Sequence, residues 1–132
     1  MLNTTTIGKK YENMVIHYLK TQKYKILERN FSCPAGEIDI IAFDPDTKYI
    51  VFVEVKYRAT NAFGRPIEAI TAQKVRKIHT TSQVYLKLRG WLDKNFRFDA
   101  IEIIDDELRH IVNGFTDVAV IGTDVYALGE IY

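Results

Sequence analysis

The run Gly36-Glu37-Ile38-Asp39-Ile40-Ile41-Ala42-Phe43 is followed by Asp44-Pro45-Asp46-Thr47, and then by Lys48-Tyr49-Ile50-Val51-Phe52-Val53-Glu54-Val55-Lys56-Tyr57. A Pro- and Asp-rich tetrapeptide between two β-branched and aromatic runs predicts strand 37–43, a turn, and an antiparallel strand 48–57. Side chains alternate along a strand, so Ile50, Phe52, Glu54 and Lys56 share one face and Val51, Val53, Val55 and Tyr57 the other. Both faces are apolar at the start, which predicts a central strand covered on both sides. In the earlier strand Glu37, Asp39, Ile41 and Phe43 fall opposite Ile38, Ile40 and Ala42. Counting outward from the turn brings residues 37–39 near residues 52–54, so Asp39 and Glu54 are expected side by side, with Lys56 close by.

Outward from this hairpin, Tyr11, Met14, Val15 and Tyr18 have the i, i+3, i+4, i+7 spacing of an amphipathic helix over 7–22, with Thr6 as its N-cap. Residues 24–31 predict a strand ending at the Cys33-Pro34-Ala35-Gly36 turn. Beyond the loop 61–66, a helix is expected over 67–88. Val75, Ile78, Ser82, Tyr85 and Leu88 form its buried stripe, Lys74, Arg76, Lys77 and Lys87 lie outside it, and Gly90 is its stop. Residues 96–104 and 109–112 read as further strands, while 117–132 has strand-like pieces without decisive signals. The order α-β-β-β-α-β, with a short C-terminal extension, predicts an α/β fold with a mixed central sheet flanked by helices.

The composition agrees with a single domain spanning 1–132. The 132 residues are 47% hydrophobic and 27% charged, average for a globular protein. The longest apolar run, Tyr49 to Val53, is too short to span a bilayer, and the amino terminus lacks a secretory pattern. The single cysteine, Cys33, excludes an intramolecular disulfide, so a reduced, cytoplasmic setting without membrane association is expected. The net charge of +1 conceals segregation: +4 over residues 1–30, −3 over 31–53, +6 over 54–90 and −6 over 91–132. Such segregation marks either an anion-binding face or a solvated surface of scattered pairs.

Charges are seldom set beside a core unless paired, metal-bound or catalytic. Glu54 and Lys56 alone fit a surface ion pair worth about 0–1 kcal/mol. With Asp39 at the end of otherwise buried strands, they also fit a site of carboxylates and an ammonium. Mg²⁺ takes one or two carboxylates, with water and substrate phosphate completing its shell. Glu12 borders the apolar stripe of the first helix and is either part of that site or a snorkelling surface glutamate. Zinc-ligand spacing, a phosphate-cradling glycine loop and a G-x-S-x-G turn are all missing, so His17, His79 and His110 read as surface or structural residues.

Gly36-Glu37-Ile38-Asp39-Ile40-Ile41-Ala42 together with Val51-Phe52-Val53-Glu54-Val55-Lys56-Tyr57-Arg58 resembles the YraN-like family over about residues 7–115. Gly8 and Glu12, residues 26–30, Phe63-Gly64 with Pro66, Glu68-Ala69, Lys74, Arg97-Phe98-Asp99 and residues 110–115 extend the likeness. Tyr11 and Val15 depart from its usual glycine and alanine, and residues 116–132 run past its usual end. That family is predicted to have the restriction-endonuclease-like PD-(D/E)XK fold and to be distantly related to archaeal Holliday junction resolvases.

The resemblance implies a metal-dependent nuclease hydrolysing phosphodiester bonds in DNA, with branched or structured DNA among its candidate substrates. It implies Asp39 and Glu54 as ligands of Mg²⁺, with Mn²⁺ as an alternative, Lys56 as the assisting ammonium and Glu12 contributing from the helix. Glu37 is then a spare ligand or a group behind the ligands, and Arg58, Lys74 and Lys77 are candidate phosphate contacts. The competing readings are a nucleic-acid-binding module that does not cut and a protein-interaction domain using the acidic 91–132 region. Residues 118–121 and 125–128 are either core or the interface of a homodimer.

Overall fold

The computed structural model describes residues 4–58, 71–114 and 130–131. The expected α/β order is what the chain adopts: α1 Thr4–Thr21, β1 Lys25–Cys33, β2 Gly36–Asp44, β3 Tyr49–Arg58, α2 Ala72–Arg89, β4 Phe96–Ile104 and β5 Glu107–Val112. A two-residue strand, β6 (Glu130–Ile131), follows. The strands lie in the order β1-β2-β3-β4-β5-β6. All neighbours are antiparallel except β3 and β4, which run parallel. That mixed arrangement follows from chain length: a hairpin turn joins β2 to β3, whereas returning to start β4 parallel to β3 takes a crossover, here through α2. The second helix, expected from 67, begins instead at Ala72, because Thr71 before it is extended; the loop 61–66 and the strand-like pieces 118–121 and 125–128 lie outside the described residues.

The two faces of β3 do what their alternation requires. Ile50 and Phe52 join Ile38, Ile41, Val75, Ile78, Tyr85 and Leu86 in a core beneath α2. Val51 and Val53 join Val15, Leu19, Ile40, Ile101 and Ile103 in a second core beneath α1. The sheet is thus sandwiched between helices, and the middle of β3 is buried on both sides. Among the described residues no helix is long and apolar enough to cross a membrane.

Both helices end through left-handed residues. Gly90 (φ 72°) stops α2, with the Trp91 N–H donating to the Leu86 carbonyl at 2.8 Å. In α1 the equivalent position is Lys23 (φ 73°), with the Tyr24 N–H donating to the Leu19 carbonyl at 2.9 Å. At its other end α1 starts at Thr4, so Thr6 lies inside the helix and is not its N-cap. The N-cap of α2 is Thr71, whose hydroxyl accepts from the Lys74 N–H at 3.2 Å.

The stripe of α2 departs from expectation at one position: Leu88 is 72% exposed, and Leu86 is buried in its place. Steps of three and four drift around a helix that turns about 100° per residue. Leu86 returns to within about 20° of Val75, while Leu88 lies about 140° away.

A buried polar cluster ties the β2–β3 turn to β4 and β5. The Arg97 guanidinium donates to Asp99 through Nε (3.0 Å), to Asp44 Oδ2 and Thr47 Oγ1 through Nη1 (3.0 Å each), and to the Tyr24 hydroxyl through Nη2 (2.8 Å). Asp99 also meets His110 Nε2 at 2.7 Å and accepts from the Asn113 N–H at 3.0 Å, while Tyr18 meets His110 Nδ1 at 2.9 Å. Burial alone would raise the Asp44 carboxyl, but the bonds from Arg97, Thr47 and the Asp46 N–H outweigh it and hold Asp44 below the usual range. Burial above all pushes the Tyr24 hydroxyl up to about 12. His110 is therefore structural, His79 packs on Phe98 with ring centroids 4.3 Å apart, and His17 is exposed.

Arg97→Met would strand Asp44 and Asp99, the two carboxylates to which the guanidinium donates. Breaking a buried pair by removing one partner costs about 3–5 kcal/mol. The urea midpoint of Arg97→Met is expected to fall accordingly, whereas Leu88→Ala, on the exposed face of α2, stays within about 0.5 kcal/mol of the parent protein.

Candidate active site

The β2–β3 ladder runs in register from Asp44↔Tyr49 to Ile40↔Val53 and then stops. Continued by one step, that register would set Asp39 opposite Glu54, the position that the count from the turn expects, but the ladder does not reach it. There the strands part. The Asp39 Oδ2 atom accepts from the Val55 N–H at 2.8 Å, so a carboxylate takes the place of a ladder carbonyl. The strict alternation expected of β2 also fails here: Ile38 and Ile41 both pack under α2, and Ile40 packs under α1. A shift of one residue flips the faces of a strand, and the slip between 38 and 40 centres on Asp39. Asp39 consequently lines an open cleft of about 380 Å³ with Glu12, Asn30, Val55 and Tyr57, the last two from the α1 face of β3.

Glu54, on the α2 face of β3, is only 4% exposed. Its Oε1 lies 3.5 Å from Lys56 Nζ and 3.7 Å from Lys74 Nζ. Burial first, and the Asp39 carboxylate second, push Glu54 up to about 7, with Lys74 and Lys56 pulling the other way. Asp39 is raised as well, by burial above all and further by Glu12. The Val55 N–H bond, Lys74 and Lys56 oppose that rise. The Asp39 carboxylate thus lies near enough to Glu54 to disfavour its negative charge, and two ammonium groups compensate only in part.

Glu12 is held from β1. Arg29 Nε (3.3 Å), Arg29 Nη2 (3.1 Å) and Asn30 Nδ2 (3.0 Å) all donate to its Oε1. Consecutive strand residues normally point to opposite faces. Here Arg29 and Asn30 both reach Glu12, and Asn30 has the left-handed conformation (φ 53°) that asparagine tolerates better than most residues. Glu12 therefore belongs to the cleft and is not a free-standing surface glutamate.

Of the other expected site residues, Lys74 converges on Glu54 from the first turn of α2, which brings it into the carboxylate cluster itself. Lys77 is exposed further along α2. Glu37 is exposed opposite Ser32 and is not among the residues lining the cleft. Arg58 ends β3, and its side chain lies outside the described residues. The sequence reading had no role for Arg29 and Asn30 as the clamp on Glu12. The asparagine inside a strand was the available signal. Among the described residues, no three or more His, Cys, Asp and Glu side chains form a ready-made metal cage.

Residues 11–103 match the profile of the uncharacterised protein family UPF0102. A UPF0102 protein of Fusobacterium nucleatum is 43% identical over 112 residues, covering 85% of this chain and 92% of the relative. One from Persephonella marina is 46% identical over 108 residues (82% and 91%), and one from Geobacter metallireducens is 42% identical over 118 residues (86% and 95%).

The raised Glu54 has a consequence for stability without metal. In the folded chain it holds its proton up to about pH 7, while in the unfolded chain it ionises near 4.5. Between those values the folded state binds more protons, so this contribution is complete below 4.5 and is lost as pH rises through 7. In metal-free protein followed by urea unfolding, stability is expected to fall from pH 5 to pH 8. Glu54→Gln should lessen that fall by roughly 3 kcal/mol; equal falls in the two proteins would contradict it.

Proposed function

We propose a function for this chain on the premise that it belongs to the uncharacterised protein family UPF0102: it is a divalent-metal-dependent nuclease that hydrolyses phosphodiester bonds of DNA. The observation that carries this reading is the fork at Asp39 and Glu54. Two carboxylates raised above all by burial, Glu54 further by Asp39 and Asp39 further by Glu12, are a poor resting arrangement for anions and a good one for receiving a cation. The donor atoms are carboxylate oxygens, in the number Mg²⁺ takes from protein when water and phosphate complete its shell. Asp39 and Glu54 would hold it, with Glu12 as a further candidate ligand and Mn²⁺ as a substitute, while Glu37, exposed and outside the cleft lining, is left without a ligand role. Such a cation supplies acidity to a bound water and neutralises charge building on the phosphate.

The chain's own residues have distinct parts in this scheme. The Val55 N–H fixes one oxygen of Asp39 and leaves the other for the cleft. Arg29 and Asn30 hold Glu12 by one oxygen beside it. Hydrolysis forms a bond from a water oxygen to phosphorus and breaks the bond to the departing sugar oxygen. Negative charge builds on the phosphate meanwhile, and fixed positive groups nearby stabilise it. Lys56 is that group, one turn of the β3 pleat from Glu54, and Lys74 adds a second ammonium from α2. Arg58 and Lys77 are candidate contacts to flanking phosphates, which position a strand without reading its sequence. The resemblance to restriction-endonuclease-like proteins supports the same assignment, and its link to junction resolvases puts branched DNA first among substrates.

Cleavage of a labelled panel tests this: four-way junction, flap, single strand, duplex and RNA, each with Mg²⁺, Mn²⁺ or chelator. Metal-dependent cutting is expected, reduced at least about a hundredfold by Asp39→Asn or Glu54→Gln, with DNA binding retained. Salt-sensitive binding without cutting by the parent protein would favour the non-catalytic module instead.

A further inference from the structure

We infer that Tyr57 is a stacking platform for an unpaired nucleobase beside the cleaved phosphate, so that the preferred substrate carries a single-stranded nucleotide at the site. This takes its location from the nuclease reading but stands on different side chains. Tyr57 follows Lys56 on β3 and projects to the opposite face, into the cleft that Asp39 and Glu12 line. Its ring stacks on Tyr11, with centroids 4.4 Å apart and planes inclined by 29°. Tyr11 in turn is anchored. Its hydroxyl, raised first by burial, also faces the carboxylate of Asp106 in the β4–β5 turn. The Lys10 ammonium lies 5.2 Å from the Tyr11 ring centre.

This is an aromatic surface braced from behind at the mouth of a carboxylate site. Tyr57 is half-buried, so it is fixed in place yet still contributes to the cleft wall. Gly8 of α1 also lines the cleft, and among the described residues a Cβ built on it would meet nothing within 4 Å, so no side chain crowds the cleft from that position. Lys9 is exposed on the same rim, where it offers positive charge to a phosphate. A tyrosine ring already immobilised by a partner loses little freedom when a base settles on it. Base stacking on an aromatic ring accepts any base, because every base has a π-face. It does demand that the face be free. A base inside a duplex has both faces covered by its neighbours, so an unpaired or splayed base is what such a platform selects.

The alternative is that the two rings only pack α1 against β3. Equilibrium binding separates the two roles without relying on catalysis. The probes are a labelled duplex with a single-stranded flap, the same flap made of abasic nucleotides, and a blunt duplex. All are measured on the full chain carrying Glu54→Gln so that nothing is cut. Adding Tyr57→Leu is expected to weaken the flap about tenfold and leave the blunt duplex unchanged. Removing the flap bases should weaken the parent by the same factor, and Tyr57→Phe should restore flap binding. Equal weakening of all three probes, unchanged binding of all three, or a loss that Tyr57→Phe fails to restore would overturn the inference. Failure of the nuclease reading looks different: the chain with native Glu54 cuts no substrate in Mg²⁺ or Mn²⁺, whatever the flap preference.

Discussion

The hydrogen bond from the Val55 N–H to the Asp39 carboxylate, at 2.8 Å, is where the sheet turns into a site. Up to Ile40 and Val53 the two central strands satisfy each other through backbone groups. Beyond that pair the partly buried Val55 N–H still needs an acceptor, because leaving a buried donor without one costs on the order of 1–3 kcal/mol. Asp39 meets that need with a side chain, so the strands can separate without an orphaned donor. The separation creates the open end in which charged groups can converge. Everything arranged around the fork depends on it: Glu54 across the gap, Lys56 two residues on, Glu12 from α1 and Lys74 from α2.

The two ends of the β2–β3 hairpin are held by opposite electrostatic strategies. At the turn, Asp44 and Asp99 are buried against one guanidinium that bonds to both, and Asp44 is held in its ionised form. At the fork, Glu54 is buried with ammonium groups 3.5 and 3.7 Å away, Asp39 is half-buried, and both carboxyls are pushed toward the neutral form. The close, multiply bonded arrangement stabilises a fixed register. The looser one leaves lone pairs and unspent charge, which is where ligand chemistry can enter. Because the turn end locks the register, the fork end keeps Asp39 near Glu54 although neither gains from the other's presence.

The α1 side of the cleft shows how one helix serves packing and site together. Val15, Ile16 and Leu19 are buried against the sheet. One turn earlier, Glu12 reaches Arg29 and Asn30 on β1. Tyr11, its neighbour in sequence, turns the other way along the helix surface to brace Tyr57 on β3. The chain thereby fastens both outer walls of the cleft to a single turn of α1.

Alternation along two strands and the turn between them were sufficient to read the hairpin, its register as far as Ile40 and Val53, and the two-sided burial of β3. These are short-range consequences of a period of two residues, and the sequence carries them locally. The drift of a 3.6-residue helix was nearly enough for α2, missing only the exchange of Leu88 for Leu86. Tertiary structure alone decided the rest. Lys74 meets Glu54 because of where α2 docks after a crossover whose path no local pattern specifies. Arg97 gathers Asp44, Tyr24 and Asp99, at sequence separations of up to 73, because it is buried and must be neutralised wherever the fold brings carboxylates to it. The slip of β2 at Asp39 and the left-handed turn of Asn30 break the alternation on which sequence reading relies. Both occur at the fork, where the backbone gives up regularity to let side chains meet.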